Sequence, residues 1–337
     1  MRAARMSTAP ATVLAGQGKW CKAFADGLAR HAGLNVAVVP FDSVRDAMSV
    51  GSWRAVRNAD LVVRVGFRPG SPTWRGRAFD ELFSLLAGRP GAARTAYLWI
   101  GTDVSDTLRD HAAGRLTHRW RRAAEQSAHL ALTDDLAAEL ASVGVTARVV
   151  GYSPPALATE GPLELLPDRF SALTYIPDSR PHFYGGAQIA EAARALPEVE
   201  FNVLAGSGGW LEGAPPNLHF LGRQESAARW MGQSSCLVRI VEHDGAGSMV
   251  AEMLSRGRHA IYSRPHEHTT FVAFSDTPGL IAALATLRDR HAAGTLLPDI
   301  EAAAWARAYF DPQTRFAALA EALQALASSA RNHGGAG

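Results

Sequence analysis

Along the chain, short apolar runs alternate with stretches in which apolar residues return every three or four positions. Runs at 13–15, 35–40, 60–66, 95–100, 129–133 and 147–150 predict strands in the first half, and runs at 170–176, 200–205, 218–221, 237–241 and 259–262 predict them in the second. Between these, 19–31, 44–58, 78–87, 117–126 and 134–143, then 186–195, 226–232, 248–255 and 277–291, read as helices. Trp20, Phe24 and Leu28 fall on one face of the first helix, and Gly144 supplies a C-terminal stop for the fifth. Strands that alternate with helices predict parallel sheets covered on both faces, an α/β architecture. The segment 101–103 reads as a loop, residues 1–10 as a loose leader, and 300–327 as a helical region broken at Asp311-Pro312.

The run Gly151-Tyr152-Ser153-Pro154-Pro155 can continue neither a strand nor a helix, so it marks a boundary. The expected organisation is a first Rossmann-like domain at 1–152, a second at 153–310, a closing helix at 311–327 that packs back on the first domain, and a polar, glycine-rich, disordered tail at 328–337. A length of 337 residues gives each domain its own core. Two such halves joined by a proline-bearing linker predict a cleft between them.

Composition narrows the setting. Hydrophobic residues at 47% and charged residues at 20% describe a soluble globular chain, and the net charge of +2 conceals arginine-rich stretches at 54–77 and 109–122. These suit an acidic partner, a phosphorylated ligand or an anionic membrane face. Two cysteines, Cys21 and Cys236, argue against a disulfide framework and fit a reducing cytoplasm. No apolar run is long enough to span a bilayer, and 11–15 is too short for a signal peptide core.

Several chemistries are excluded by pattern. Gly16-Gln17-Gly18 follows a strand and precedes a helix, but Cys21 stands where a dinucleotide fingerprint has its third glycine. The P-loop and serine-elbow motifs are absent. His243, His266 and His268 match no common zinc spacing, so no metal site is expected. What remains is a set of loops at the carboxyl ends of predicted strands, where open α/β sheets bind ligands. They are Gly16-Gln17-Gly18 and Gly101-Thr102-Asp103 in the first half, and 178–186, 206–209 and the Asp244 loop in the second. Gly245 and Gly247 let the backbone turn sharply before a helix whose first amides suit an anion. Arg180 could add a bidentate phosphate contact, and Arg239, inside an apolar strand, requires a partner or a ligand.

Asp244-Gly245 followed by Glu252 resembles the E-x7-E element of retaining GT-B glycosyltransferases of the family 4-like group, with Asp at the first acidic position. LWIGTDV at 98–104, ALTDDLAAELASVGVTARVV at 131–150, YIPDSRPHFYGG at 175–186 and NLHFLG at 217–222 resemble further segments of that family in the same order. The resemblance spans most of 95–263. It departs in that Tyr184-Gly185-Gly186 stands where many members carry a lysine after the arginine.

The resemblance implies two Rossmann-like domains facing across a cleft, the first for an acceptor and the second for a nucleotide-diphosphate sugar. Glu252 would bind the donor ribose and Asp244 would face the donor sugar. Gly245, Gly247, Ser248, Met249, Arg180 and Arg239 would hold the diphosphate, with Gly16 and Gly18 also on the donor side. Gly101 and Thr102 would line the acceptor side, and Asp103 would orient the acceptor or take its proton. No metal or other cofactor is implied, because amide dipoles and arginine stabilise the departing diphosphate. The implied partners are the donor and a glycan, lipid-linked or protein acceptor in bacterial polysaccharide, glycolipid or glycoprotein assembly. Nucleic acid is not among them, and the setting is cytoplasmic with room for peripheral contact at the inner membrane face. A nucleotide-sugar epimerase or hydrolase, and a catalytically silent sugar-nucleotide or glycan-binding protein, remain alternatives on the same scaffold.

Overall fold

The structure, a computed structural model, describes residues 12–41, 49–70 and 95–334. The helix expected at 78–87, the leader 1–10 and the start of the helix expected at 44–58 lie outside the described residues. The chain forms two units, Met1–Tyr152 with Pro312–Gly337, and Ser153–Asp311.

The first unit holds β1 (Thr12–Gly16), β2 (Ala37–Pro40), β3 (Leu61–Val65), β4 (Thr95–Trp99), β5 (Ala128–Ala131) and β6 (Arg148–Val149). They pair in the order β2-β1-β3-β4-β5-β6, all parallel. Every residue of β1 and β3 is buried, which explains why these strands read as largely apolar runs, with Arg64 of β3 buried over the Tyr97 ring. The helices are α1 (Gly18–Ala32), α2 (Val50–Asn58), α3 (Thr102–Ala112), α4 (His118–Gln126) and α5 (Asp134–Ala141). The closing helix α11 (Pro312–Gly334) lies against α1. Gly27 permits this approach, because a Cβ there would sit 2.0 Å from Cζ of Phe316, whose ring also stacks on His31 at 5.6 Å.

Two expectations are corrected here. Residues 102–112 form α3, although 101–103 reads as a loop in the sequence. Its inward face carries Asp103, Ser105, Thr107 and Asp110, which are buried through hydrogen bonds and ion pairs, so the apolar periodicity that signals a helix is missing. The tail expected to be disordered from Ser328 is helical to Gly334, since Ala and Ser there continue the helix and Ala330 is buried against the unit.

The second unit holds β7 (Ser171–Tyr175), β8 (Glu200–Leu204), β9 (Leu218–Gly222), β10 (Cys236–Arg239), β11 (His259–Tyr262) and β12 (Thr270–Phe271). All pair in parallel in the order β12-β11-β10-β7-β8-β9. Taken from β9, that is the 3-2-1-4-5-6 order of a dinucleotide-binding sheet, with the reversal between β7 and β10. Its helices are α6 (Gly186–Ala195), α7 (Ala228–Gly232), α8 (Ser248–Leu254), α9 (Thr277–Ala292) and α10 (Ile300–Tyr309). Buried Asn217 fixes the turn from α6 to β8 by donating to the carbonyls of Ala193, Leu196 and Val199 at 3.0, 2.9 and 2.8 Å.

Candidate functional site

The crevice of the second unit is built by the loops that leave β7 and β10. After β7 the chain turns through a 3₁₀ segment, His182–Tyr184, into Gly185, whose φ of 63° starts α6. Only glycine fits there, because a Cβ would meet the carbonyl oxygen of Ile240 at 2.8 Å. The two loops are tied by Glu242 N–H donating to the Phe183 carbonyl at 3.1 Å and by His182 Nε2 beside Glu242 Oε1 at 3.2 Å. The adjoining β8 corner is held by exposed Asp178. Its carboxylate accepts from the amides of Ser207 and Gly208 and from the Ser207 hydroxyl, and those bonds lower its pKa.

The charge at this crevice centres on Arg239. Its Nε donates to Asp244 Oδ2 at 2.9 Å, with both side chains 13% exposed. Its guanidinium lies over the Tyr184 ring, 5.1 Å from the centroid, and Arg180 approaches the same ring at 5.7 Å and Phe183 at 4.9 Å. Asp244 also accepts from the Gly245 amide at 3.0 Å and from the Tyr262 hydroxyl. Burial alone would raise the Asp244 pKa, but the attraction and hydrogen bond of Arg239 outweigh it and hold the carboxyl below its ordinary value. The same pair raises the pKa of Arg239 against its own burial.

Gly247, with φ of 56°, leads into α8, whose Ser248 and Met249 open the helix. With seven residues, α8 contributes only a short dipole, so positive charge for a ligand comes mainly from the arginines. Glu252 is 5% exposed, and its Oε1 accepts the Ala156 amide at 3.1 Å, which docks the linker onto α8.

The structure therefore brings together Arg180, Arg239, Asp244, Gly245, Gly247 and the start of α8. Asp244, which the resemblance sets toward a donor sugar, contacts Arg239 and Tyr262. Tyr184 and Tyr262 were missed in the sequence. The available signal was Arg239 itself, a cation in an apolar strand that required partners.

In the first unit the candidates have local explanations. A Cβ on Gly16 would lie 2.2 Å from the Val65 carbonyl oxygen, so neighbouring β3 demands glycine there whether or not a ligand approaches. Gly18 opens α1. Gly101, at φ 138°, precedes α3, and Thr102 is exposed. Asp103, expected as an orienting or proton-accepting group, fastens its own corner. Its Oδ1 accepts the amides of Ile100, Gly101 and Val104 at 3.1, 2.8 and 3.1 Å, and the residue is 5% exposed. Burial outweighs these bonds and lifts its pKa to about 6. Among the described residues no group of three His, Cys, Asp or Glu side chains is placed to hold a metal ion, and no helix is long and apolar enough to cross a membrane.

No protein-family model matches the chain, and no curated protein matches it. Solved structures do. Sucrose-phosphate synthase from Thermosynechococcus elongatus superposes with a TM-score of 0.67 at 11% identity, covering 96% of this chain and 100% of that one. Anabaena HepE, described in complex with UDP and glucose, gives 0.64 at 13% identity over 93% and 98%. WaaG, described as a glycosyltransferase involved in lipopolysaccharide biosynthesis, gives 0.57 at 15% identity over 94% and 99%. The fold is that of the GT-B glycosyltransferases, with two Rossmann-like domains.

Proposed function

We propose that the protein is a retaining, metal-independent glycosyltransferase of the family 4-like type that moves a sugar from a nucleotide-diphosphate donor to a glycan, lipid-linked or protein acceptor. The observation that carries this reading is Arg239 with Arg180 at the β7/β10 reversal of a dinucleotide-type sheet, where an anionic ligand is expected. The UDP and glucose named in the HepE complex support a sugar nucleotide as the ligand.

In this reading the diphosphate lies against Arg239, Arg180 and the amides of Ser248 and Met249, and Glu252, fixed by the Ala156 amide, meets the ribose. The bond between the sugar's anomeric carbon and the diphosphate oxygen breaks. A bond to the acceptor oxygen forms on the same face, and the acceptor's proton passes to the departing diphosphate. The arginines stabilise the negative charge as it develops. Asp244 acts through Arg239. Exposed Arg119, Arg121 and Arg122 on α4 support an acceptor presented at an anionic, cytoplasmic membrane face.

One observation favours a second reading. Both acids of the E-x7-E-like element are engaged by protein groups, Asp244 by Arg239 and Glu252 by the Ala156 amide, which suits a catalytically silent sugar-nucleotide-binding protein. Calorimetry with UDP-, GDP- and ADP-sugars, followed by donor turnover with and without acceptors, separates them. Transfer with retention supports the enzyme, tight binding without turnover supports the silent protein, and absence of binding by any nucleotide overturns both.

A further inference from the structure

Two guanidinium groups share the Tyr184 ring, and one carboxylate, Asp244, neutralises one of them. Asp244 takes only the Nε edge of Arg239. Among the described residues, its terminal nitrogens and the whole guanidinium of Arg180 have no protein acceptor. Two like charges held around one ring, with one left uncompensated, form an arrangement that an anion completes. The ring faces attract each cation and exclude some of its water, which strengthens any anion contact. Guanidinium forks match phosphoryl oxygens bidentately, and two forks match two linked phosphoryl groups better than one.

We propose that Tyr184 is a positioning residue that sets Arg239 and Arg180 as a two-arginine receptor selective for a diphosphate over a monophosphate, with Asp244 and Tyr262 fixing the Nε edge of Arg239. Tyr184 itself need not touch the ligand. The inference rests on the nucleotide-sugar reading for its natural ligand, but the receptor can be tested with simpler probes. If the arginines served only to pack the loop after β7, replacing the ring would change stability and leave anion selectivity unmoved.

The test is calorimetry on the full chain with inorganic pyrophosphate and phosphate, and with the pairs UDP and UMP, GDP and GMP, ADP and AMP. Wild type is expected to prefer the diphosphate member. Tyr184→Phe, which keeps the ring, should change diphosphate affinity by less than about twofold, whereas Tyr184→Leu should weaken it about tenfold and weaken monophosphates by less than about threefold. Arg180→Ala, at an exposed position, should show the same selective loss and covers the case in which Tyr184→Leu fails to fold.

An equal loss for both phosphates, or none, overturns the receptor. Nucleotide binding without preference for the diphosphate overturns it while the donor reading stands. Pyrophosphate binding that obeys the variants, without binding of any nucleotide, supports the receptor and removes the donor reading. Absence of binding by every probe overturns both.

Discussion

Asp103 and Asp244 stand in similar places in the two units, each beyond the carboxyl end of a parallel strand, and they titrate in opposite directions. Among the described residues Asp103 meets three backbone N–H groups and no cation, and burial lifts its pKa to about 6. Asp244 meets Arg239, the Tyr262 hydroxyl and one amide, and is held below its ordinary value despite burial. Amide dipoles suffice to fasten a corner, but they do not offset the loss of water around a buried charge. A paired cation does. The first arrangement rests on backbone amides alone, whereas the second leaves the terminal nitrogens of Arg239 without an acceptor among the described residues.

The largest expected effect comes from removing the cation. Arg239→Ala leaves Asp244 buried without its counter-ion and should cost about 3–5 kcal/mol in urea unfolding, while the Arg239→Ala, Asp244→Ala double variant should cost less than the sum of the single ones. Strict additivity would mean that the pair contributes nothing as a pair. At the other corner, Asp103→Ala removes an acceptor for three amides and should cost about 2–3 kcal/mol.

Asp103→Asn keeps an oxygen for those amides without the charge, so it sharpens the contrast through pH. The Asp103 pKa is raised from 3.8 unfolded to about 6 folded, so its stabilising contribution is complete below pH 3.8 and is lost as pH rises through about 6. The Asn variant should therefore gain on wild type between pH 4 and 7, by on the order of 2–3 kcal/mol. A flat difference would show that the carboxylate is not destabilised by burial. For Asp244 the sign reverses, since its contribution is present above pH 3.8 and lost as pH falls through its lowered folded value.

The smallest effect lies at the β8 corner that Asp178 holds. Ala205 adopts a left-handed φ of 74°, so Ala205→Gly should change thermal stability by no more than about 1 kcal/mol, in the stabilising direction. A clear loss would mean that its methyl group packs against the corner.

Much of the fold was legible because strands such as β1 and β3 are covered on both faces and read as largely apolar runs despite Arg64, while Gly-Tyr-Ser-Pro-Pro can continue neither kind of element. Helix α3 was not legible, since its buried face is polar and its stabilising bonds run to backbone groups and arginines that periodicity does not register. At the site, Arg239 announced that it needed a partner without naming one. Tyr184 and Tyr262 come from other strand ends and meet it only through the β7-β10-β11 order. Gly16 reads as a ligand-facing glycine, and the carbonyl of Val65 demands glycine there whether or not a ligand approaches.

The central claim is that a nucleotide diphosphate belongs to the second unit, at the reversal between β7 and β10. A crystal structure of the full chain with a bound nucleoside diphosphate tests it most directly. The account predicts phosphoryl oxygens within hydrogen-bonding distance of the terminal nitrogens of Arg239, with Arg180 alongside and the ribose at Glu252. A diphosphate seated instead at Gly16 to Gly18 of the first unit, or one that leaves Arg239 untouched, would contradict it.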